Sequence, residues 1–130
     1  MKNTSNHEPA FGEMKVLLVE DNFLVGISIK QQLEELGCEV TGPIATLTDA
    51  LRTIGDVSVD CAVLDINIKG GTSQPVAQAL QAGKTPFFFI TGYKSPIMLA
   101  EEMKAIRRLN KPIEPSMLRR ALDEACRAAS

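Results

Sequence analysis

Residues 15–22 read KVLLVEDN, an apolar run from Val16 to Val19 that stops at Glu20, Asp21 and Asn22. A short continuous apolar run, as opposed to an alternating one, is the pattern of a strand buried on both faces. From Phe23 the period changes. Phe23, Leu24, Ile27, Ile29, Leu33 and Leu36 recur near helical spacing, and Gly37 stands where a helix end favours a left-handed residue.

The same alternation runs on to the end of the chain. A weak strand is expected over residues 39–41, a helix over 47–54 after Thr46, and a second buried strand over 61–64 (CAVL) that ends at Asp65. A loop with Asn67, Lys69, Gly70 and Gly71 leads to a helix over 74–81, whose Pro75 suits a first turn. Residues 86–90 (PFFFI) form a third strongly apolar strand, ending at Thr91 before Gly92 and Tyr93. A short helix over 98–105, a strand over 106–110 interrupted by Arg107 and Arg108, and an amphipathic helix over 115–128 complete the pattern. Five strands alternating with helices, joined by right-handed crossovers, predict a doubly wound α/β fold with helices on both faces of a parallel sheet.

Composition narrows the function. A chain of 130 residues is long enough for one domain with a core and is expected to carry no second output domain. Residues 1–13 read as a flexible tail and 14–130 as the folded domain; the tail has no apolar stretch of the kind a secretory signal needs. No run of about 18 uncharged apolar residues could span a bilayer. Cys38, Cys61 and Cys126 are odd in number and lack metal-ligand spacing, so they read as reduced core thiols of a cytoplasmic protein. With a net charge of −2, and Glu114, Asp123 and Glu124 among the arginines of the last stretch, there is no basic stripe for nucleic acid.

In open parallel sheets, ligands collect beyond the carboxyl ends of the strands. The residues placed there are Glu20, Asp21, Asp65, Thr91 and Lys111. Converging carboxylates repel one another unless a cation compensates, which implies a divalent ion, and oxygen ligands of this kind suit Mg²⁺. Beside such an ion, Asp65 is the candidate nucleophile toward phosphorus, with Thr91 as a hydroxyl donor and Lys111 as a point charge aimed by the turn at Pro112. Taken singly each residue has a plainer reading. Asp21 could cap the first helix, Lys111 could be a surface lysine, Gly70 and Gly71 could serve backbone freedom only, and Phe87 to Phe89 read as core. Only the constellation of strand ends favours a site.

VLLVEDN at 16–22, VLDINIKGG at 63–71, FFFITGY at 87–93 and NKP at 110–112 together resemble the receiver domains of two-component response regulators. The resemblance implies a flavodoxin-like sheet of strand order 2-1-3-4-5 and a phosphorelay signalling domain, not an enzyme. It implies phosphorylation of Asp65, Mg²⁺ held by Asp21, Asp65 and the backbone carbonyl of Asn67, with Glu20 acting through metal-bound water, and phosphate contacts from Thr91 and Lys111. The phosphoryl donor would be a sensor histidine kinase or a phosphotransfer protein, and the output a downstream protein target. Residues 86–93 (PFFFITGY) further resemble the PFxFATGY signature of single-domain receivers paired with HWE or HisKA-2 kinases, with Ile90 in place of alanine. Receivers commonly carry an aromatic residue three before the lysine, where this chain has Arg108. Tyr93 and Arg108 are therefore the candidate switch residues, and the face around 94–108 is expected to be mobile.

Three rivals make different demands. A haloacid dehalogenase-type phosphatase needs an acid–base aspartate two residues after its nucleophile, where Asn67 stands. A flavodoxin-like carrier needs a Ser/Thr/Gly-rich phosphate loop after the first strand, where Glu20 and Asp21 stand. A receiver-like interaction module that is never phosphorylated would have no use for the intact site.

Overall fold

The computed structural model describes residues 12–92 and 99–127, with side chains as far as Ala125. Strands β1 (Lys15–Val19), β2 (Glu39–Ile44), β3 (Cys61–Asp65), β4 (Phe87–Thr91) and β5 (Arg108–Asn110) form one parallel sheet in the order 2-1-3-4-5. Helices α1 (Phe23–Glu35), α2 (Leu47–Asp56), α3 (Gln74–Ala82) and α4 (Pro115–Leu122) connect or close it.

The unbroken apolar strands have their explanation in two cores, one on each face of the sheet. Val16, Leu18, Val63, Phe88 and Ile90 point to one side, where Ile29 and Leu33 of α1 and Leu118 and Leu122 of α4 cover them. Leu17, Val19, Ala62, Leu64 and Phe89 point to the other, under Ala50 of α2 and Val76 and Leu80 of α3. Successive side chains of a strand alternate between faces, so a strand clad on both sides must be apolar throughout.

The expected elements form with small shifts. Asn22 caps α1, its side chain accepting from the Val25 N–H at 3.0 Å, so the plainer reading of Asp21 as that cap does not hold. Thr46 caps α2 in the same way through the Asp49 N–H at 3.1 Å. β2 runs three residues further than its apolar pattern, because a bulge inserts one residue between the pairs Leu17↔Thr41 and Val19↔Ile44. Gly42 makes the bulge possible at φ 123°, where a side chain would collide with the Leu18 carbonyl oxygen. The loop after Asp65 is folded into a hairpin, Asn67–Ile68 against Gly71–Thr72.

Two expectations fail. The helix over 98–105 is only a 3₁₀ turn, Glu101–Met103, among the described residues, held by the burial of Leu99 and Met103. A helix here lacks the repeating apolar stripe needed to pay for its nucleation. The cysteines are not all reduced thiols: Cys38 is free and buried, its pKa pushed up to about 11 by burial, while Cys61 is disulfide-bonded. Sequence spacing does not show which sulfurs the folded chain brings together, and the Cys126 side chain lies outside the described residues. Among the described residues no helix is long and apolar enough to cross a membrane.

Candidate functional site

The carboxyl ends of β1, β3 and β5 bring acidic groups and a lysine together. Glu20 follows β1 and is buried. Its N–H donates to the Ile44 carbonyl at 2.9 Å, and its Oε2 accepts from the Asn22 N–H at 2.9 Å. Its other oxygen, Oε1, is buried without an aligned hydrogen-bond donor, and its compensation is the Lys111 ammonium at 2.6 Å. Asp65 closes β3, also buried, and its Oδ2 accepts from Lys111 Nζ at 3.0 Å. Oxygens of Glu20, Asp21 and Asp65 all lie within 4.8 Å of one another.

One ammonium thus serves two buried carboxylates, with a third beside them. Burial raises the pKa of Asp65, the hydrogen bond and charge of Glu20 raise it further, and Lys111 offsets only part, leaving it at about 7. Burial alone would depress the Lys111 ammonium, but contact with Glu20 and Asp65 outweighs this and holds it above its ordinary value. Such a cluster is short of positive charge. Its donors are all oxygen, and three carboxylates share one ammonium, so the residues present fit Mg²⁺.

Thr91, the buried last residue of β4, donates its hydroxyl to the Gly92 carbonyl at 3.4 Å, while its own carbonyl accepts from the Lys111 N–H at 2.9 Å. That bond ties the lysine's backbone to the end of β4. Asn67 opens the hairpin two residues beyond Asp65, half-buried and paired with Thr72. The hairpin is held by bonds from the Ile66 N–H to Ile90 and from the Ser73 N–H to Ile66, at 3.0 and 2.8 Å. Arg108 lies in β5 opposite Phe89, exposed and outside the acidic cluster. Tyr93 lies outside the described residues.

Sequence reasoning overlooked two groups at the site. The cap at Asn22 was legible, since asparagine three residues before Val25 at a helix start is a strong signal. The Ile44 carbonyl that anchors Glu20 was not, because its position depends on the bulge in β2.

Residues 16–123 match the response regulator receiver domain family. The chain is 25% identical over 114 residues to the phyllosphere-induced regulator PhyR of Methylorubrum extorquens, a match that covers 85% of this chain and 43% of that protein. It is 26% identical over 119 residues to an uncharacterized response regulatory protein of Vibrio vulnificus, of which it covers 49%. The chain therefore spans less than half the length of these curated relatives. Among solved structures it is similar to SdrG of Sphingomonas melonis, with a TM-score of 0.76, 33% identity and coverage of 90% of this chain and 95% of that one. It also shares its fold with a receiver domain of Methylobacillus flagellatus, with a TM-score of 0.71, 24% identity, and coverage of 87% of this chain and 98% of that one. With the two-sided parallel sheet, the acidic cluster at its carboxyl edge and a family match over nearly all the described residues, the chain belongs to the response regulator receiver domains, a family of signalling domains.

Proposed function

We propose that this chain is a phosphorelay signalling domain in which Asp65 accepts a phosphoryl group from a histidine on a sensor kinase or phosphotransfer protein. The observation that carries this reading is the Lys111 ammonium lodged between Glu20 and Asp65, in a cluster with too little positive charge. Glu20, Asp21, Asp65 and the Asn67 carbonyl would hold Mg²⁺, which when bound neutralises charge on the transferring phosphoryl oxygens. An Asp65 carboxylate oxygen forms the bond to phosphorus as the bond from phosphorus to the donor imidazole nitrogen breaks, and the electron pair leaves on that nitrogen. Lys111 and the Thr91 hydroxyl then donate to the phosphoryl oxygens, drawing the ends of β4 and β5 inward. Tyr93 and Arg108, both between Thr91 and Lys111 in sequence, transmit it.

The surface beside the site supports a protein as donor. Phe23 and Leu24, at the start of α1 next to Asp21, are 71% and 78% exposed. Leu24 also lines a cleft of about 440 Å³ shared with Ile29, Lys111 and Ile113. Exposed apolar residues beside a charged centre suit a partner that must bring its own reactive side chain to Asp65. The PFFFITGY motif favours a kinase of the HWE or HisKA-2 class, and the phosphorylated form signals to a downstream protein. Residues 14–130 act as the receiver behind a leading tail, in the cytoplasm, where such kinases present their phosphohistidine.

Intact mass after incubation with acetyl phosphate and Mg²⁺ tests the reading. The native chain should gain one phosphoryl group, and Asp65→Asn or excess EDTA should abolish the gain. No gain from acetyl phosphate or from a panel of charged histidine kinases would sink it.

A further inference from the structure

Gly26 is a residue whose helical setting gives no reason for glycine. It lies inside α1, buried, with its N–H donating to the Asn22 carbonyl at 2.8 Å in the ordinary helical way. Its φ is not in the left-handed region, so alanine would suit the backbone better than glycine does. The explanation is space. A Cβ on Gly26 would stand 2.7 Å from Cβ and 2.8 Å from Cγ of Pro43, and 3.5 Å from Cγ of Glu20. Pro43 belongs to the bulged end of β2, and the next residue, Ile44, accepts the Glu20 N–H. The ring cannot swing away as a flexible side chain would. A side chain at position 26 must therefore move the end of β2 or the first turn of α1, the two elements that flank Glu20, whose own stem lies in ordinary contact at 3.5 Å.

We infer that Gly26 and Pro43 form a positioning contact for the acidic site, seating Glu20 so that its carboxylate meets Asp65 and Lys111. This rests on the reading of Glu20, Asp21 and Asp65 as a Mg²⁺ site. Gly26 and Pro43 touch neither the ion nor phosphate. They act through Glu20, as the outer contacts of metal centres do when they fix the direction of a ligand. Asn22 couples the two halves of the device: its side chain caps the helix that carries Gly26, and its N–H holds Glu20 Oε2.

The test titrates Mg²⁺ into the folded protein and reads affinity from ¹H–¹⁵N shifts in native chain, Gly26→Ala and Ile29→Val. Ile29 is buried one turn further along the same helix, with its side chain in the core. Gly26→Ala should weaken Mg²⁺ binding about tenfold or more, as loss of an outer contact does, with Ile29→Val within about twofold of native. Equal weakening in both variants would reduce Gly26 to a structural residue, and an unchanged affinity in Gly26→Ala would overturn the inference while leaving the proposed function intact. A native chain that does not bind Mg²⁺ would remove the proposed function and this inference with it. If Gly26→Ala does not fold, Pro43→Ala withdraws the ring from the same contact, and an unchanged affinity there overturns the inference equally.

Discussion

The acidic edge of the sheet and the segment that follows β4 are built on different terms. Glu20, Asp65 and Thr91 end strands whose neighbours are wholly buried, and backbone bonds from Glu20 to Ile44 and from Lys111 to Thr91 hold them. Residues 99–107 have a single 3₁₀ turn, two buried anchors in Leu99 and Met103, and a bond of 2.6 Å from the Ala100 N–H to the Gln74 side chain. Few buried contacts and few regular backbone bonds mean a low local opening energy. The candidate site thus sits on the firmly held half, and the loosely held segment follows it in the chain before β5.

The largest effect expected from this contrast is in packing. Phe88→Ala should lower stability by about 3–5 kcal/mol, and Met103→Ala by only about 2, because an irregular segment collapses around the lost volume more easily than a central strand. Urea denaturation measures both. Equal losses would break the comparison.

Next comes the lysine. Lys111→Met leaves Glu20 and Asp65 buried without their ammonium, so the metal-free protein should lose about 1–3 kcal/mol. Added Mg²⁺ should restore more stability to this variant than to the native chain. A Mg²⁺ response no larger than native would show that the ion and the ammonium do not share one charge deficit.

The pH dependence follows from Asp65, raised from 3.8 to about 7. The folded state holds this proton more tightly than the unfolded chain does. Its contribution is therefore fully present below the unfolded value and is lost as pH rises through about 7. Metal-free protein should give a lower urea midpoint at about pH 8 than at about pH 6, with Mg²⁺ narrowing the gap by favouring the ionised carboxylate. A gap that Mg²⁺ leaves unchanged would place the titration elsewhere.

The smallest effect belongs to Gln74. Removing its acceptor in Gln74→Ala should cost about 1 kcal/mol, hence speed hydrogen exchange at the Ala100 amide about fivefold while leaving β1 and β3 amides unaffected. Exchange that accelerates across the whole sheet would mean that the two halves open as one unit.

Much of this was legible from the order of residues. Continuous apolar runs at 16–19, 61–64 and 87–90 could only be strands covered on both faces, and each ended at a residue of the site. The helix after β4 and the state of Cys61 were misread. The first failed because local apolar content does not guarantee a helix when, among the described residues of that span, only Leu99 and Met103 are buried in the core. The second failed because a disulfide depends on contacts far apart in sequence.

By itself, then, the sequence determined the α/β class, the sheet's two-sided burial and the identity of the polar residues at its carboxyl edge, because hydrophobic period and strand-end position are local properties. Only the tertiary structure decided that one ammonium is shared by Glu20 and Asp65, and that Gly26 leaves room for Pro43 beside Glu20. Those depend on ångström-scale approaches between β1, β2, α1 and the turn after β5, which no spacing along the chain encodes.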